Sequence, residues 1–126
     1  LDINKTNPVL WEPIGFNNAL KKIENDFVQI GKIIKDNNLE LYILTYPWPD
    51  TLEYGQNSFN WEKFSNSLCI KSECSNLINL FPDFQKIKNN NNNWLYKIYI
   101  DGDLHITHFG HKIIAEKIIN KVFLNE

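Results

Sequence analysis

The run Leu39-Glu-Leu-Tyr-Ile-Leu-Thr-Tyr46 constrains the fold more than any other stretch of the chain. It is apolar at nearly every position, the pattern of a strand covered on both faces, as in a parallel sheet. Pro47 and Pro49 stop it, because proline offers no N–H to a ladder. Directly before it, Phe16, Leu20, Ile23, Phe27, Ile30 and Ile34 recur at spacings of three and four, so residues 14–37 are expected as a long helix laid against the sheet. Lys21, Lys22, Glu24, Asp26 and Lys35 lie mostly off that stripe, and Asn37-Asn38 supplies a left-handed C-cap. A helix feeding a buried strand through a short turn is the αβ half of a βαβ unit, and in such sheets ligands collect at the carboxyl ends of strands. Tyr46, Trp48 and Asp50 fall there. They form one wall of a substrate site or, in the bland alternative, Trp48 simply caps the core.

The rest of the chain fills in around that unit. Residues 51–60 are polar and contain Gly55, as a surface loop does. Trp61, Phe64 and Leu68 then sit at helical spacing, which predicts a short core-facing helix capped by Asn60 or Ser58 and running to about Leu68. Leu77–Phe81 is expected as a second short buried strand and Asp83–Lys88 as a brief helix, with the run Asn89–Asn93 a polar turn lacking packing capacity. Trp94–Ile100 reads as a strand or as an irregular apolar segment. Ile113, Ile114, Ile118, Val122 and Phe123 give the closing helix, with Lys112, Glu116, Lys117 and Lys121 largely outward. Gly110 in its first turn costs about 1 kcal/mol of helix propensity relative to Ala, which a close backbone approach by a neighbouring loop would explain. Residues 1–13, with Pro8 and Pro13, read as an irregular lead-in. The chain is therefore expected to be cut from something longer, the alternative being a small protein after processing.

At 126 residues and 43% hydrophobic content the chain forms one domain with a real core. A net charge of −2 and a pI near 5.9 provide no basic face for nucleic acid. All 13 basic residues are lysines, so no guanidinium fork is on hand to clamp a phosphate or carboxylate. No apolar run approaches the roughly 18 residues of a membrane span. The two cysteines, Cys69 and Cys74, are close enough to close a disulfide loop, which fits an exported protein; two unrelated buried thiols would fit a cytosolic one. The pair alone cannot hold a structural zinc, which needs two more ligands.

The chemistry concentrates in Asp101–Ala115. Asp103 and His105 lie two apart just before the closing helix, where Thr107 is a plausible N-cap, so an extended loop turns a carboxylate and an imidazole to the same side. His105, His108 and His111 invite a metal reading, but on one helix they would spread over an arc of roughly 120° and fail to converge. His105 also precedes the helix start, and no metal site is expected. The alternative for His105 is a loop histidine satisfied by Asp103 and doing no chemistry.

The segment GDLHITHFGHKIIAEKI (residues 102–118) resembles the last conserved block of the SGNH (GDSL-type) esterases and acyltransferases. LELYILTYPWP (Leu39–Pro49) is similar to a core strand of that fold with its loop, and LINLFPDF (Leu77–Phe84) to the strand and loop that follow. The resemblance implies an α/β fold, specifically the C-terminal part of a three-layer, flavodoxin-like parallel sheet. It implies a catalytic pair in which His105 is the general base and Asp103 its orienting carboxylate, with Asp101 as fallback, and no cofactor. Its substrate would be a small acyl ester or an acylated carbohydrate. Two departures stand out. The commoner spacing is Asp-x-x-His, whereas Asp103-x-His105 is similar to the acetyltransferase-like branch. The nucleophile serine of the Gly-Asp-Ser block, and the Gly and Asn of the next two blocks, are not found in the chain. Such a half domain is expected to be inactive alone and to self-associate through an exposed sheet edge. The other class of function in view is a noncatalytic α/β module that binds a carbohydrate or protein partner through Trp11, Trp48, Trp61 and Trp94.

Overall fold

The computed structural model describes residues 15–103 and 105–124; the lead-in expected at 1–13, and Trp11 with it, lies outside the described residues. The elements are α1 (Phe16–Asp36), β1 (Tyr42–Thr45), α2 (Pro49–Tyr54), α3 (Trp61–Lys71), β2 (Asn76–Asn79), α4 (Phe81–Asn89), α5 (Trp94–Ile98) and α6 (His108–Ile118), which widens into a π-helical turn at Ile119–Phe123.

The three-layer, flavodoxin-like sheet expected from the sequence is not the architecture. Of the described residues 62% are helical, and the sheet they form has two strands. β1 and β2 are parallel, with Tyr42 opposite Asn76 and Thr45 opposite Asn79, and α2 and α3 form the crossover between them. The apolar run misleads because a hydrophobic composition does not say how many neighbours a strand has. Of β1 only Ile43 is buried, and Leu39 at the head of the run is 61% exposed. β2 is shorter than the run Leu77–Phe81 suggests: Leu80 turns into the core, and Phe81 opens α4 with Pro82 in its first turn, where a missing N–H costs nothing. The segment 94–100 is no strand either. It forms α5, and only Tyr99 makes a bridge, antiparallel to Ile106.

The long helix packs chiefly on α3 and not on a sheet. Its inward line is Leu20, Glu24, Phe27, Gly31 and Ile34, while Ile23 and Ile30 of the expected stripe stand 37% and 42% exposed. Gly31 sets this rotation. A Cβ there would lie 2.0 Å from the Ser72 carbonyl oxygen, so only glycine lets the two backbones meet. Glu24 faces the same way and pairs with Lys71 at 2.8 Å.

Both α1 and α3 end in the same left-handed cap. At α1, Leu39 N–H donates to Ile34 and Asn38 N–H to Lys35, each at 3.0 Å, with Asn38 at φ 55°. At α3, Cys74 N–H donates to Cys69 at 2.9 Å and Glu73 N–H to Ile70 at 3.3 Å, with Glu73 at φ 52°. In this motif the side chain three before the cap faces the one two after it, ordinarily as an apolar contact. In α1 those residues are Ile34 and Leu39; in α3 they are Cys69 and Cys74, joined as a disulfide. The Lys35–Glu73 ion pair ties one cap to the other, and the Glu73 carboxylate holds the Lys35 ammonium above the usual lysine range.

The core lies on the other side of the sheet from α1. Leu52, Leu80, Phe84, Ile98, Tyr99 and Ile106 are buried together, with Leu44, Ile87, Trp94, Ile113 and Ile114 packed around them. No described helix is long and apolar enough to cross a membrane.

Candidate functional site

The core ends in a hairpin-like loop that carries Asp103 and His105. Thr107 N–H donates to the Ile98 carbonyl at 2.8 Å and Ile100 N–H to the His105 carbonyl at 2.9 Å, which pins both legs. The tip is a turn closed by Asp103 N–H to the Ile100 carbonyl at 3.0 Å, with Gly102 at φ 69° in the position where a type II turn requires positive φ. Within this frame one oxygen of Asp103 accepts twice, from the His105 backbone N–H at 3.1 Å and at His105 Nδ1 at 2.6 Å. The Asp103 contact fixes one ring nitrogen, while the His105 side chain remains 82% exposed, leaving Nε2 as the nitrogen a hydroxyl can approach. Asp101 is exposed in the same turn.

α6 starts where the sequence reading puts it. Thr107 Oγ1 accepts from Gly110 N–H at 3.2 Å and donates to the Lys97 carbonyl at 2.6 Å, so one hydroxyl caps α6 and fastens it to α5. A Cβ on Gly110 would lie 2.9 Å from the Ile98 carbonyl oxygen and 2.3 Å from Ile106 Cγ2. His111 folds back on its own helix, with Nδ1 3.0 Å from the Thr107 carbonyl, and His108 is exposed. Among the described residues no three His, Cys, Asp or Glu side chains gather as a metal site would require.

Tyr46, Trp48 and Asp50 line a cleft of about 540 Å³ at the carboxyl end of β1, together with Leu44, Thr45, Thr51, Trp61 and Phe81. Trp48 is 60% exposed, so it does not cap the core; Leu52, one turn into α2, does that. Trp61, expected in the core, is 38% exposed and stands at the cleft edge against Phe59, with ring centroids 4.6 Å apart. Below the rim, Glu62 accepts from Asn79 at 2.6 Å and from Gln56 at 2.7 Å, which holds the end of β2 to the start of α3.

The Asp103–His105 pair does not line that cleft. Asp103 instead borders a smaller hollow of about 240 Å³ with Pro49, Tyr96, Tyr99 and Asp101. Trp48 and Asp50 line the one and Pro49 the other, so the Pro47–Asp50 segment divides them. Tyr99 joins the two sides: its hydroxyl donates to the Pro47 carbonyl at 2.6 Å in the interior. Burial, and to a lesser degree the nearby Tyr46, push the Tyr99 hydroxyl well above the ordinary tyrosine range. The sequence reading missed Tyr99, and its only signal there was an aromatic residue just before the Asp-Gly turn. Of the four tryptophans considered as a binding set, Trp94 packs against the core, leaving Trp48 and Trp61 at the cleft.

No family model, curated protein or solved structure matches the chain.

Proposed function

We propose that Asp103 and His105 are the acid–base half of a serine-type acyl-transfer site, of the esterase or O-acyltransferase kind that the SGNH-like block suggests. The observation that carries this reading is the 2.6 Å contact between Asp103 and His105 Nδ1 beside a ring open to solvent. In such a pair the carboxylate fixes the tautomer with the proton on Nδ1, and Nε2 takes the proton of a serine hydroxyl as its oxygen bonds to the acyl carbon. The same nitrogen then returns that proton to the departing alkoxide. The reading rests on this loop and not on a three-layer sheet. These 126 residues hold no Gly-Asp-Ser block, so the reading requires a serine supplied from outside them. The substrate is a small acyl ester or an acylated carbohydrate. The disulfide at Cys69–Cys74 fits a compartment outside the reducing cytosol, and the side of β1 that no described strand pairs with fits pairing with a second copy.

The bland alternative is an Asp side chain that merely closes a turn onto the His105 N–H. The coding sequence upstream of Leu1 separates the two. A Gly-Asp-Ser block after an apolar strand is expected there, and in the joined protein a fluorophosphonate probe should label that serine in a His105-dependent manner. Absence of the block, or labelling that survives His105→Ala at full rate, overturns the reading. The 126-residue chain alone is expected not to turn over p-nitrophenyl acetate, because none of its serines sits on a strand-to-helix nucleophile turn.

A further inference from the structure

The cleft beside Trp48 has features that an incidental hollow would lack. Its volume of about 540 Å³ falls in the range of roughly 300–1,000 Å³ typical of ligand sites. Trp48, at 60% exposure, projects from a stem rigid on both sides. Pro47 before it is buried, with its carbonyl held by Tyr99, and Pro49 after it opens α2. An aromatic ring presented from a fixed stem loses little freedom when it takes a ligand, which is what preorganisation requires. Tyr46 and Trp61 add two more partly exposed rings, at 39% and 38%.

The charge of the lining restricts the ligand. Among the described residues Asp50 is the one charged residue that lines the cleft, and the chain has no arginine. An anionic ligand would meet a carboxylate and no cation. A fatty acyl chain would make no use of the Asp50 carboxylate or of the Tyr46 and Thr51 hydroxyls. A small organic cation would use the aromatic rings and the Asp50 carboxylate but would leave the Tyr46 and Thr51 hydroxyls unused, so choline is the control that separates it from a sugar. A sugar ring meets every condition. Its apolar C–H face lies on an indole, and its hydroxyls donate to a carboxylate and exchange hydrogen bonds with Tyr46 and Thr51.

We propose that the cleft is a subsite for an uncharged glycan, with Trp48 as the stacking platform and Asp50 as acceptor for ring hydroxyls. This deepens the acyl-transfer reading by naming the substrate or acceptor class, and it rests on that reading only for which hydroxyl reacts. The test is a binding titration, so its result stands even if serine labelling fails. The intact chain is titrated with cellohexaose, chitohexaose and maltohexaose, with hexagalacturonate and choline as competing classes, while the indole N–H resonances are followed by NMR and assigned with Trp48→Phe. At least one neutral hexasaccharide should move the Trp48 indole saturably. Trp48→Ala, which leaves the core intact, should weaken that binding at least tenfold, and Asp50→Asn should weaken it as well. Failure of all three neutral sugars to move the Trp48 resonance overturns the proposal. So does tighter binding of hexagalacturonate or choline, or a Trp48→Ala protein that titrates like the wild type.

Discussion

The hydroxyl of Tyr99 donates to the carbonyl of Pro47 at 2.6 Å, across a sequence separation of 52 residues and inside the core. Tyr99 is the last buried residue before the turn that holds Asp103, and Pro47 is the first after β1 and the stem of Trp48. One hydrogen bond therefore registers the aromatic cleft against the Asp–His loop.

Tyr99→Phe should show what that bond is worth. It leaves the Pro47 carbonyl buried without its donor, at a cost of about 1–3 kcal/mol, measurable as a lower urea midpoint. The pH dependence carries a second signature. The folded-state pKa of Tyr99 is raised above the unfolded value of about 10, so its contribution is fully present below about pH 10 and is lost as pH rises through that value towards the folded one. Wild-type stability should fall above about pH 10 more steeply than that of Tyr99→Phe. Parallel curves for the two proteins would mean that Tyr99 ionises freely in the fold.

Gly110→Ala pits helix propensity against space. Alanine recovers about 1 kcal/mol of propensity in the first turn of α6. Its Cβ would lie 2.9 Å from the Ile98 carbonyl oxygen and 2.3 Å from Ile106 Cγ2, and Ile98 and Ile106 are both buried core residues. Overpacking of this kind costs about 1–3 kcal/mol, so the net effect should be destabilising. A thermal melt reads the sign directly, and a raised midpoint would show that α6 can lift off the Tyr99–Ile106 bridge.

The disulfide deserves a test of reach as well as of strength. For so short a loop the entropic contribution is about 2 kcal/mol. Yet the residues it encloses carry the polar anchors of α1: Lys71 pairs with Glu24, the Ser72 carbonyl meets Gly31, and Glu73 pairs with Lys35. The double variant Cys69→Ser, Cys74→Ser should therefore speed amide exchange over α1 as well as at the end of α3. Exchange that rises only between residues 69 and 76 would confine the disulfide to its own cap.

Long periodic segments were legible in the sequence, and pairings between distant segments were not. The apolar positions from Phe16 to Ile34 repeat often enough to force a helix, as do those of Ile113–Phe123, and Thr107 marks the start of α6 by its capping chemistry. The Asp103–His105 contact was expected from residues two apart sharing a side of an extended segment, but it forms at a turn, where one Asp103 oxygen accepts from the His105 N–H and meets its ring. α5 was not legible, since the five residues Trp94–Ile98 are too few to display a period. The face of α1 was misjudged by about one position because a glycine contact, invisible to a hydrophobic pattern, decides which side comes closest. The sheet was overestimated for a related reason: Leu39–Tyr46 reports apolarity, and the number of neighbouring strands is a property of the rest of the fold.

That short sheet bears on assembly. Among the described residues β1 pairs with β2 alone, and a parallel strand with one open side offers a row of N–H and C=O groups to another strand. Next to it in the chain, Ile30 and Ile33, about 60° apart on α1, and Leu39 are 42%, 61% and 61% exposed and offer apolar surface to a second copy. Self-association at micromolar concentration is expected, most economically as a twofold dimer in which each copy covers the same surface of the other. Light scattering measures it directly. Ile33→Glu changes an exposed position on α1, so it should shift the protein towards monomer without lowering its melting temperature. A wild-type protein that stays monomeric at 100-fold higher concentration, or an Ile33→Glu variant that associates as tightly as the wild type, would remove α1 and the edge of β1 from the interface.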